Sequence, residues 1–128
     1  MRLIPALLLA AATAASAQSA PRSGEAIVRD ACMACHGEGL LKAPRLGDRK
    51  AWAPLIREGQ PALTATAWTG IRQMPPKGGR ADLSLEELAR AVAYMARQGG
   101  GNWPDPDAAT LARIEAAVKK REARGAKP

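Results

Sequence analysis

One short stretch, Cys32-Met33-Ala34-Cys35-His36, contains the residue types of this chain best suited to cofactor chemistry. It includes both cysteines and the only histidine among the 128 residues. The spacing CxxCH is typical of covalent haem attachment, in which both sulfurs bond to the porphyrin and the adjacent imidazole binds iron. We therefore predict one covalent haem c attached to Cys32 and Cys35, with His36 as an axial iron ligand.

Other roles for the motif fit the sequence less well. A zinc site needs four ligands, whereas two cysteines and one histidine supply only three. A thioredoxin-like dithiol occurs beside a βαβ unit, and the chain has no strand pattern. A coincidental occurrence of the motif is the remaining alternative, and haem attachment is the interpretation we favour.

A second axial ligand must come from elsewhere. Because the chain has no second histidine, methionine sulfur is the natural choice, and it would raise the potential by favouring ferrous iron. Met1 leaves with the predicted signal described below, and Met33 lies between the cysteines. Met95 falls on the apolar face of a predicted helix, where methionine usually fills the core. Met74 precedes two prolines that keep its loop extended, so we predict Met74 as the ligand. If Met74 were only a half-buried loop residue, the haem would be five-coordinate.

The ring of His36 needs an acceptor for its second N–H group, which fixes the ring orientation. Pro44 lies in the loop after the motif, and its carbonyl oxygen is the candidate acceptor. Alternatively, Pro44 only shapes the loop, and the sequence spacing does not separate these two roles.

The start of the chain has the pattern of an export signal. Arg2 is followed by an apolar run from Leu3 to Ala15, and Ala15-Ser16-Ala17 forms an AxA-type cleavage site. The run is shorter than the ~20 residues that span a bilayer, which makes an uncleaved anchor the less favoured alternative. We predict a periplasmic protein with no transmembrane segment after cleavage.

The net charge of +7 at pH 7 indicates the kind of partner that would bind. Residues 18–98 carry twelve Lys and Arg against eight Asp and Glu, and residues 99–128 carry six against four. This basic surface suits acidic protein partners or anionic lipid headgroups. We expect redox proteins with acidic docking patches, and nucleic acid is not an expected partner. Five basic residues flank the two predicted haem-contacting loops: Lys42, Arg45, Arg72, Lys77 and Arg80. They could surround an exposed haem edge, or they could be ordinary solubilising charge.

Helix signals precede and follow the motif. Ser23 is a suitable N-cap for a short helix that leads into the cysteines, and Asp48 for a helix that ends near Gly59. A third helix is predicted from Pro61 to Arg72.

The strongest helix follows, and Ser84 with Glu87 form its capping box. A basic tail helix is predicted last, with Asp105 as its cap and Pro106 at its first position. Its narrow apolar stripe favours weak association, and it could pack on the domain, bind a partner or remain solvated.

In combination, these segments resemble the class I c-type cytochromes and, within them, the bacterial cytochrome c5-like group. The resemblance covers Gly24 to Gln98. It rests on CMACH at residues 32–36, APRLG at 43–47, AWAP at 51–54, MPPKG at 74–78 and AVAYM at 91–95.

The resemblance implies Cys32 and Cys35 as haem attachments, His36 and Met74 as axial ligands, and Pro44 as the acceptor for His36. It also implies that Gly24 packs against Tyr94 where the first and last core helices cross. Some c5-like proteins carry an extra cysteine pair after the methionine. Residues 79–83 of this chain contain none, so we expect packing alone to hold that segment.

We predict an all-α chain with a signal peptide over residues 1–17, a cytochrome c domain over 18–98, and a glycine hinge and helical extension over 99–128. The expected function is single-electron transfer between redox partners, and we predict a carrier rather than an enzyme because His/Met ligation leaves iron no open site. One alternative is a haem c subunit of a larger oxidoreductase, attached by the tail. Another is a haem enzyme or gas-binding protein, if Met74 is not a stable ligand.

Overall fold

The computed structural model describes residues 19–125, so the predicted signal peptide over residues 1–17 lies outside the described residues. This part of the chain forms α1 (Gly24–Ile27), α2 (Met33–His36), α3 (Arg49–Arg57), α4 (Gln60–Thr69), α5 (Leu85–Gln98) and α6 (Ala108–Ala123). Its only strand-like pairing is an isolated bridge between Ile71 and Met74. The all-α prediction is therefore confirmed.

The first helix continues through the CxxCH motif by changing its winding. Ser23 caps α1, as predicted, and accepts a hydrogen bond of 3.2 Å from the Ala26 N–H group. A π-helical turn over Val28–Cys32 then joins α1 to α2, and the Met33 N–H group donates to the Val28 carbonyl five residues earlier. Such turns are rare and frequently occur at functional sites. Here the π turn includes the first cysteine of the motif.

The crossing of α1 and α5 depends on a residue without a side chain. A Cβ atom at Gly24 would lie 2.2 Å from the Arg90 carbonyl oxygen and 3.1 Å from Cβ of Tyr94. Ile27 and Val28 are completely buried next to this contact. The predicted contact between Gly24 and Tyr94 is confirmed, and it explains why glycine occupies a helix at this point.

The main core lies between α1, the π turn and α3 to α5. Its buried residues are Ile27, Val28, Trp52, Leu63, Ala67, Leu83, Leu88, Ala91, Val92 and Met95. The capping box of Ser84 and Glu87 is present at the start of α5, so this prediction is confirmed.

The predicted end of α4 at Arg72 is wrong, because the helix ends at Thr69. Gly70 follows with φ of +86°, a backbone conformation that favours glycine. A Cβ atom there would lie 2.9 Å from the Pro76 backbone nitrogen. Gly70 therefore begins a tightly packed segment, residues 70–80, that we call the methionine loop because it contains Met74.

The predicted cap of the tail helix is also wrong. Asp107 caps α6 and accepts a hydrogen bond of 2.7 Å from the Thr110 N–H group. Asp105 instead forms an ion pair of 3.2 Å with Arg97. A proline disfavours helical geometry in the preceding residue, so Pro106 keeps Asp105 out of the helix and delays its start.

The tail helix packs on the domain, which was one of the three alternatives for it. Ile114 and Val118 of α6 are 0% and 7% exposed and form a second buried cluster with Ala65 and Ala89. At one end of α4, the Gln60 amide donates to the Pro104 carbonyl, just before α6. At the other end, Thr69 contacts Arg121, so α4 and α6 run in the same direction.

Candidate functional site

The His36 ring is held in one tautomer by the backbone. His36 ends α2, is 8% exposed, and has its Nδ1 atom 2.7 Å from the Pro44 carbonyl oxygen. A carbonyl oxygen can only accept, so Nδ1 carries the proton and donates it to this bond. The lone pair is therefore on Nε2, which is the nitrogen available to a metal ion.

The loop that contains Pro44 is held by hydrogen bonds at three successive residues, Pro44, Arg45 and Leu46. The Leu46 N–H group donates to the His36 carbonyl oxygen at 2.7 Å, and the Trp52 indole N–H group donates to the Arg45 carbonyl oxygen at 2.8 Å. Trp52 lies on α3, is 3% exposed, and has its ring centroid 6.2 Å from that of His36. The α3 helix thus positions the loop, and the loop positions the imidazole.

Trp52 is a site residue to which the sequence analysis gave no role. It was noted only as part of the AWAP segment at residues 51–54. A useful signal was available, because a buried indole usually needs an acceptor for its N–H group. The identity of that acceptor depends on the packing of α3 against the loop, which the sequence pattern does not contain.

The two thiols of Cys32 and Cys35 are unpaired and partly buried. Burial raises the pKa of the Cys32 thiol to about 11, against a smaller opposing effect of the positive charge on Arg80. Neither sulfur forms a disulfide, so both can make a covalent bond to a cofactor.

The residues around the motif fit a covalently attached haem. Two unpaired thiols and one imidazole of fixed tautomer lie within five residues of sequence, which is the donor set that such attachment uses. Within residues 19–125, no group of three or more His, Cys, Asp and Glu side chains could hold a bare metal ion. Exposed large apolar side chains also adjoin the motif, namely Met33, Leu40 and Leu41. Apolar surface of this kind usually marks a binding site.

The methionines differ in their surroundings. Met74 is half-buried against the main core, and its backbone exchanges two hydrogen bonds with Ile71, of 2.9 and 3.0 Å. Met95 is 4% exposed and belongs to the core, whereas Met33 is 37% exposed. Met74 is therefore the methionine that lies in a fixed turn at the edge of the core.

Ion pairs hold the segment after the methionine, so the prediction that packing alone holds it is wrong. We call this group the ionic cluster, and its members are Arg22, Asp30, Arg80, Asp82 and Glu87. Arg80 lies 2.8 Å from Asp30 and 2.8 Å from Asp82, and so joins the end of the methionine loop to the π turn. The hydrogen bond from Arg80 lowers the pKa of Asp82, and that from Arg22 lowers the pKa of Glu87.

The five basic residues near the two loops have different environments. Lys77 places its ammonium group 4.1 Å from the centroid of the Trp68 ring, and Arg80 belongs to the ionic cluster. The other three are exposed and form no ion pair within residues 19–125: Lys42, Arg45 and Arg72. These three side chains can contact a partner without first breaking an ion pair in that part of the chain.

Residues 19–95 match the family described as cytochrome c oxidase, cbb3-type, subunit III. The chain is 45% identical over 76 residues to cytochrome c5 of Azotobacter vinelandii, covering 58% of this chain and 92% of the relative. It is 44% identical over 84 residues to cytochrome c5 of Ectopseudomonas mendocina, covering 64% of this chain and 97% of the relative. A cytochrome c-555 of Chlorobaculum tepidum is 37% identical over 100 residues, covering 75% and 91% of the two chains.

One solved structure is also similar, with a TM-score of 0.58 and 46% sequence identity. The match covers 59% of this chain and 93% of the solved chain. That structure is described as an electron transfer complex of nitrite reductase with cytochrome c. As with the sequence relatives, the match covers only part of this chain.

Proposed function

The chain belongs to the class I c-type cytochromes and is c5-like, and from that premise we propose that it shuttles single electrons between redox proteins in the periplasm. The protein is an electron carrier with covalently bound haem c, as its relatives are. The bound haem supplies a one-electron iron couple. Within residues 19–125, no helix is long and apolar enough to cross a bilayer.

The observation that best supports the proposal is the 2.7 Å contact between His36 Nδ1 and the Pro44 carbonyl oxygen. It leaves Nε2 of His36 to bind iron and makes the imidazole a stronger ligand. We propose that Cys32 and Cys35 attach the haem and that the sulfur of Met74 is the second axial ligand. With His36 and Met74 both bound to it, the iron would have no site for a substrate, as suits a carrier.

The proposed partners are redox proteins that present acidic docking patches. The similar cytochrome c in an electron transfer complex with nitrite reductase supports a redox enzyme as one kind of partner. Lys42 and Arg45 lie in the segment that contains Pro44, and Arg72 lies in the methionine loop; all three are exposed and supply positive charge. Such charges steer association and allow rapid release, so we expect a small and short-lived complex.

A second candidate is a haem c subunit of a larger oxidoreductase, because the matching family is described as an oxidase subunit. Attachment through the apolar stripe of the tail helix is disfavoured, since Ile114 and Val118 already pack on α4. The gas-binding alternative requires a site on iron that Met74 does not occupy. The subunit alternative therefore requires a surface through which the tail can attach, whereas the gas-binding alternative requires that Met74 leave one site on iron open.

Voltammetry of the purified holoprotein tests the proposed function. We expect one reversible wave with the slope of a one-electron couple, and we expect carbon monoxide to leave its potential unchanged. A potential that shifts on addition of carbon monoxide would indicate an open iron site and support the gas-binding alternative. Co-purification of the native protein in a stable multisubunit complex would support the subunit alternative.

Export is tested separately by cell fractionation of a strain that expresses the full chain. We expect the haem-containing protein in the periplasmic fraction, with Gln18 as its first residue. The matched control replaces Ala15 and Ala17 by bulky residues, which should block cleavage. A mature protein that still begins at Met1 would contradict the predicted signal.

A further inference from the structure

We propose that Arg121 of the tail helix is a positioning residue for the methionine loop, and through it for Met74. This inference rests on the proposed function, because it takes Met74 as an iron ligand. Arg121 lies outside residues 19–95, the part of the chain that matches the family. The tail helix, which lies outside the family match, would thus help to position Met74.

The guanidinium group of Arg121 joins the last residue of α4 to the first residue of the loop. Its Nε atom donates to Thr69 Oγ1 at 2.5 Å, and its Nη2 atom donates to the Gly70 carbonyl oxygen at 3.2 Å. The Thr69 hydroxyl group in turn donates to the Ala65 carbonyl oxygen at 2.9 Å. The hydroxyl therefore accepts from Arg121 while remaining bonded to α4.

Gly70 connects this contact to Met74 through the backbone. A Cβ atom at Gly70 would lie 3.0 Å from the Met74 carbonyl oxygen, so the two peptide units are closely packed. Met74 and Ile71 exchange backbone hydrogen bonds, which closes the short turn that starts after Gly70. A shift of the Gly70 peptide would therefore displace the backbone that presents the Met74 side chain.

The charge of Arg121 matches its acceptor. The Gly70 carbonyl lies just past the C-terminal end of α4, where carbonyl groups lack intrahelical partners and the helix dipole is negative. A cation near this end is favourable, and the planar fork of arginine can reach two acceptors at once. Since Arg121 is only half-exposed, the interaction is less weakened by solvent than that of a fully exposed side chain.

The position of Arg121 is set by a packed helix rather than by a flexible tail. Ile114 and Val118, which lie about two turns and one turn before it on α6, are 0% and 7% exposed. These residues hold α6 against α4, so the backbone position of Arg121 is fixed relative to α4. The packed helix thereby reduces the conformational entropy that Arg121 would otherwise lose on binding the loop.

The test compares holoprotein of the wild type with Arg121→Ala and with Arg113→Ala as the matched control. Arg113 also lies on α6, but its guanidinium group bonds to Thr110 of the same helix. Two quantities are measured: the pH at which the far-red methionine-to-iron absorption band disappears, and amide hydrogen exchange at Gly70, Ile71 and Met74.

For Arg121→Ala we expect exchange at these loop amides to be about tenfold faster, because a hydrogen bond from a charged donor is lost. We also expect the far-red band to disappear at a lower pH. Arg113→Ala should match the wild type in both quantities. Exchange at Ile114 should stay unchanged in both variants, since α6 remains packed.

Equal loop exchange in Arg121→Ala and Arg113→Ala would overturn the positioning role, as would faster exchange throughout α6, which would indicate loss of helix packing. A wild-type protein without the far-red band would instead contradict Met74 as a ligand. In that case the exchange measurement alone decides whether Arg121 positions the loop. Failure of this inference is therefore distinguishable from failure of the proposed function.

Discussion

At the scale of single residues, one backbone carbonyl determines which nitrogen of the only histidine can bind a metal ion. The 2.7 Å contact of Pro44 with His36 assigns the proton to Nδ1 without any charged side chain. Trp52 makes this arrangement stable, because its indole bond to Arg45 fixes the neighbouring peptide unit. The orientation of the imidazole thus depends on a buried aromatic residue whose hydrogen bond is to Arg45, and not to His36 or Pro44.

Replacement of Trp52 by phenylalanine tests this dependence. We expect the free energy of unfolding of the holoprotein to fall by about 1–2 kcal/mol, because the Arg45 carbonyl loses its hydrogen-bond partner in a partly buried position. Chemical denaturation provides the measurement. Trp103→Phe is the control. The Trp103 indole makes no hydrogen bond within residues 19–125, so this substitution should lower the free energy of unfolding by less. Equal losses in the two variants would show that the indole bond does not stabilise the loop.

At the scale of secondary-structure elements, the crossing of α1 and α5 brings the motif-bearing helix onto the core. The contact is close enough that Gly24 has no room for a Cβ atom, which would lie 2.2 Å from the Arg90 carbonyl oxygen. The π turn follows immediately and contains Cys32. The two features together determine where the motif lies relative to the core.

Gly24→Ala should therefore be strongly destabilising, even though alanine has the higher helix propensity. We expect the free energy of unfolding to fall by about 1–3 kcal/mol, because the helices must separate to admit the methyl group. The exposed position Ala26 on the same helix serves as the control, where Ala26→Gly should cost at most about 1 kcal/mol. A Gly24→Ala variant as stable as the wild type would show that the crossing can relax freely.

Elements whose signals are local could be predicted from the sequence. The caps Ser23 and Ser84 bond to groups three residues away, and CxxCH is contiguous, so a pattern contains all the information needed. The bond of Arg121 to Thr69 joins residues 52 apart and could not be predicted. The end of α4 at Thr69 was missed although Gly70 is a local stop signal, because the apolar pattern continues to Ile71 beyond it. For the candidate site, the sequence predicted the donor residues and the Pro44 acceptor for His36, which the structure places at 2.7 Å. It did not predict the contacts of Trp52 and Arg121, which join residues brought together only by packing.

At the scale of the whole molecule, the methionine loop is held from two sides by elements distant in sequence. Arg121 contacts its start, and Arg80, a member of the ionic cluster, holds its end. The cluster is largely exposed, so its individual pairs contribute little, but a shared network can fix one geometry. The loop that carries Met74 is thus connected to both the first and the last helix.

The ionic cluster predicts a specific pH dependence. The pKa of Asp82 in the folded protein is lower than its ordinary value of 3.8, mainly because Arg80 donates to it. Its contribution to stability is therefore fully present above pH 3.8 and is lost as the pH falls through the lower folded value. Urea denaturation should show Asp82→Asn to be less stable than the wild type at neutral pH and equal to it in strong acid.

High salt supplies the control for this prediction, since it should reduce the neutral-pH difference by screening exposed charges. If wild type and Asp82→Asn were equally stable at neutral pH and low salt, the cluster would not stabilise the fold. Because the cluster joins the end of the methionine loop to the π turn, such a result would also remove one of the two supports of that loop.

Visible absorption spectra of the holoprotein with and without carbon monoxide test the proposal that His36 and Met74 both bind iron as axial ligands. We predict that the oxidised wild-type holoprotein shows the far-red methionine-to-iron band and that carbon monoxide leaves the reduced spectrum unchanged. Met74→Ala should lose the band and bind carbon monoxide, whereas the core variant Met95→Leu should behave as the wild type. Ready binding of carbon monoxide by the wild type, or a far-red band that survives Met74→Ala, would show that Met74 is not a stable iron ligand.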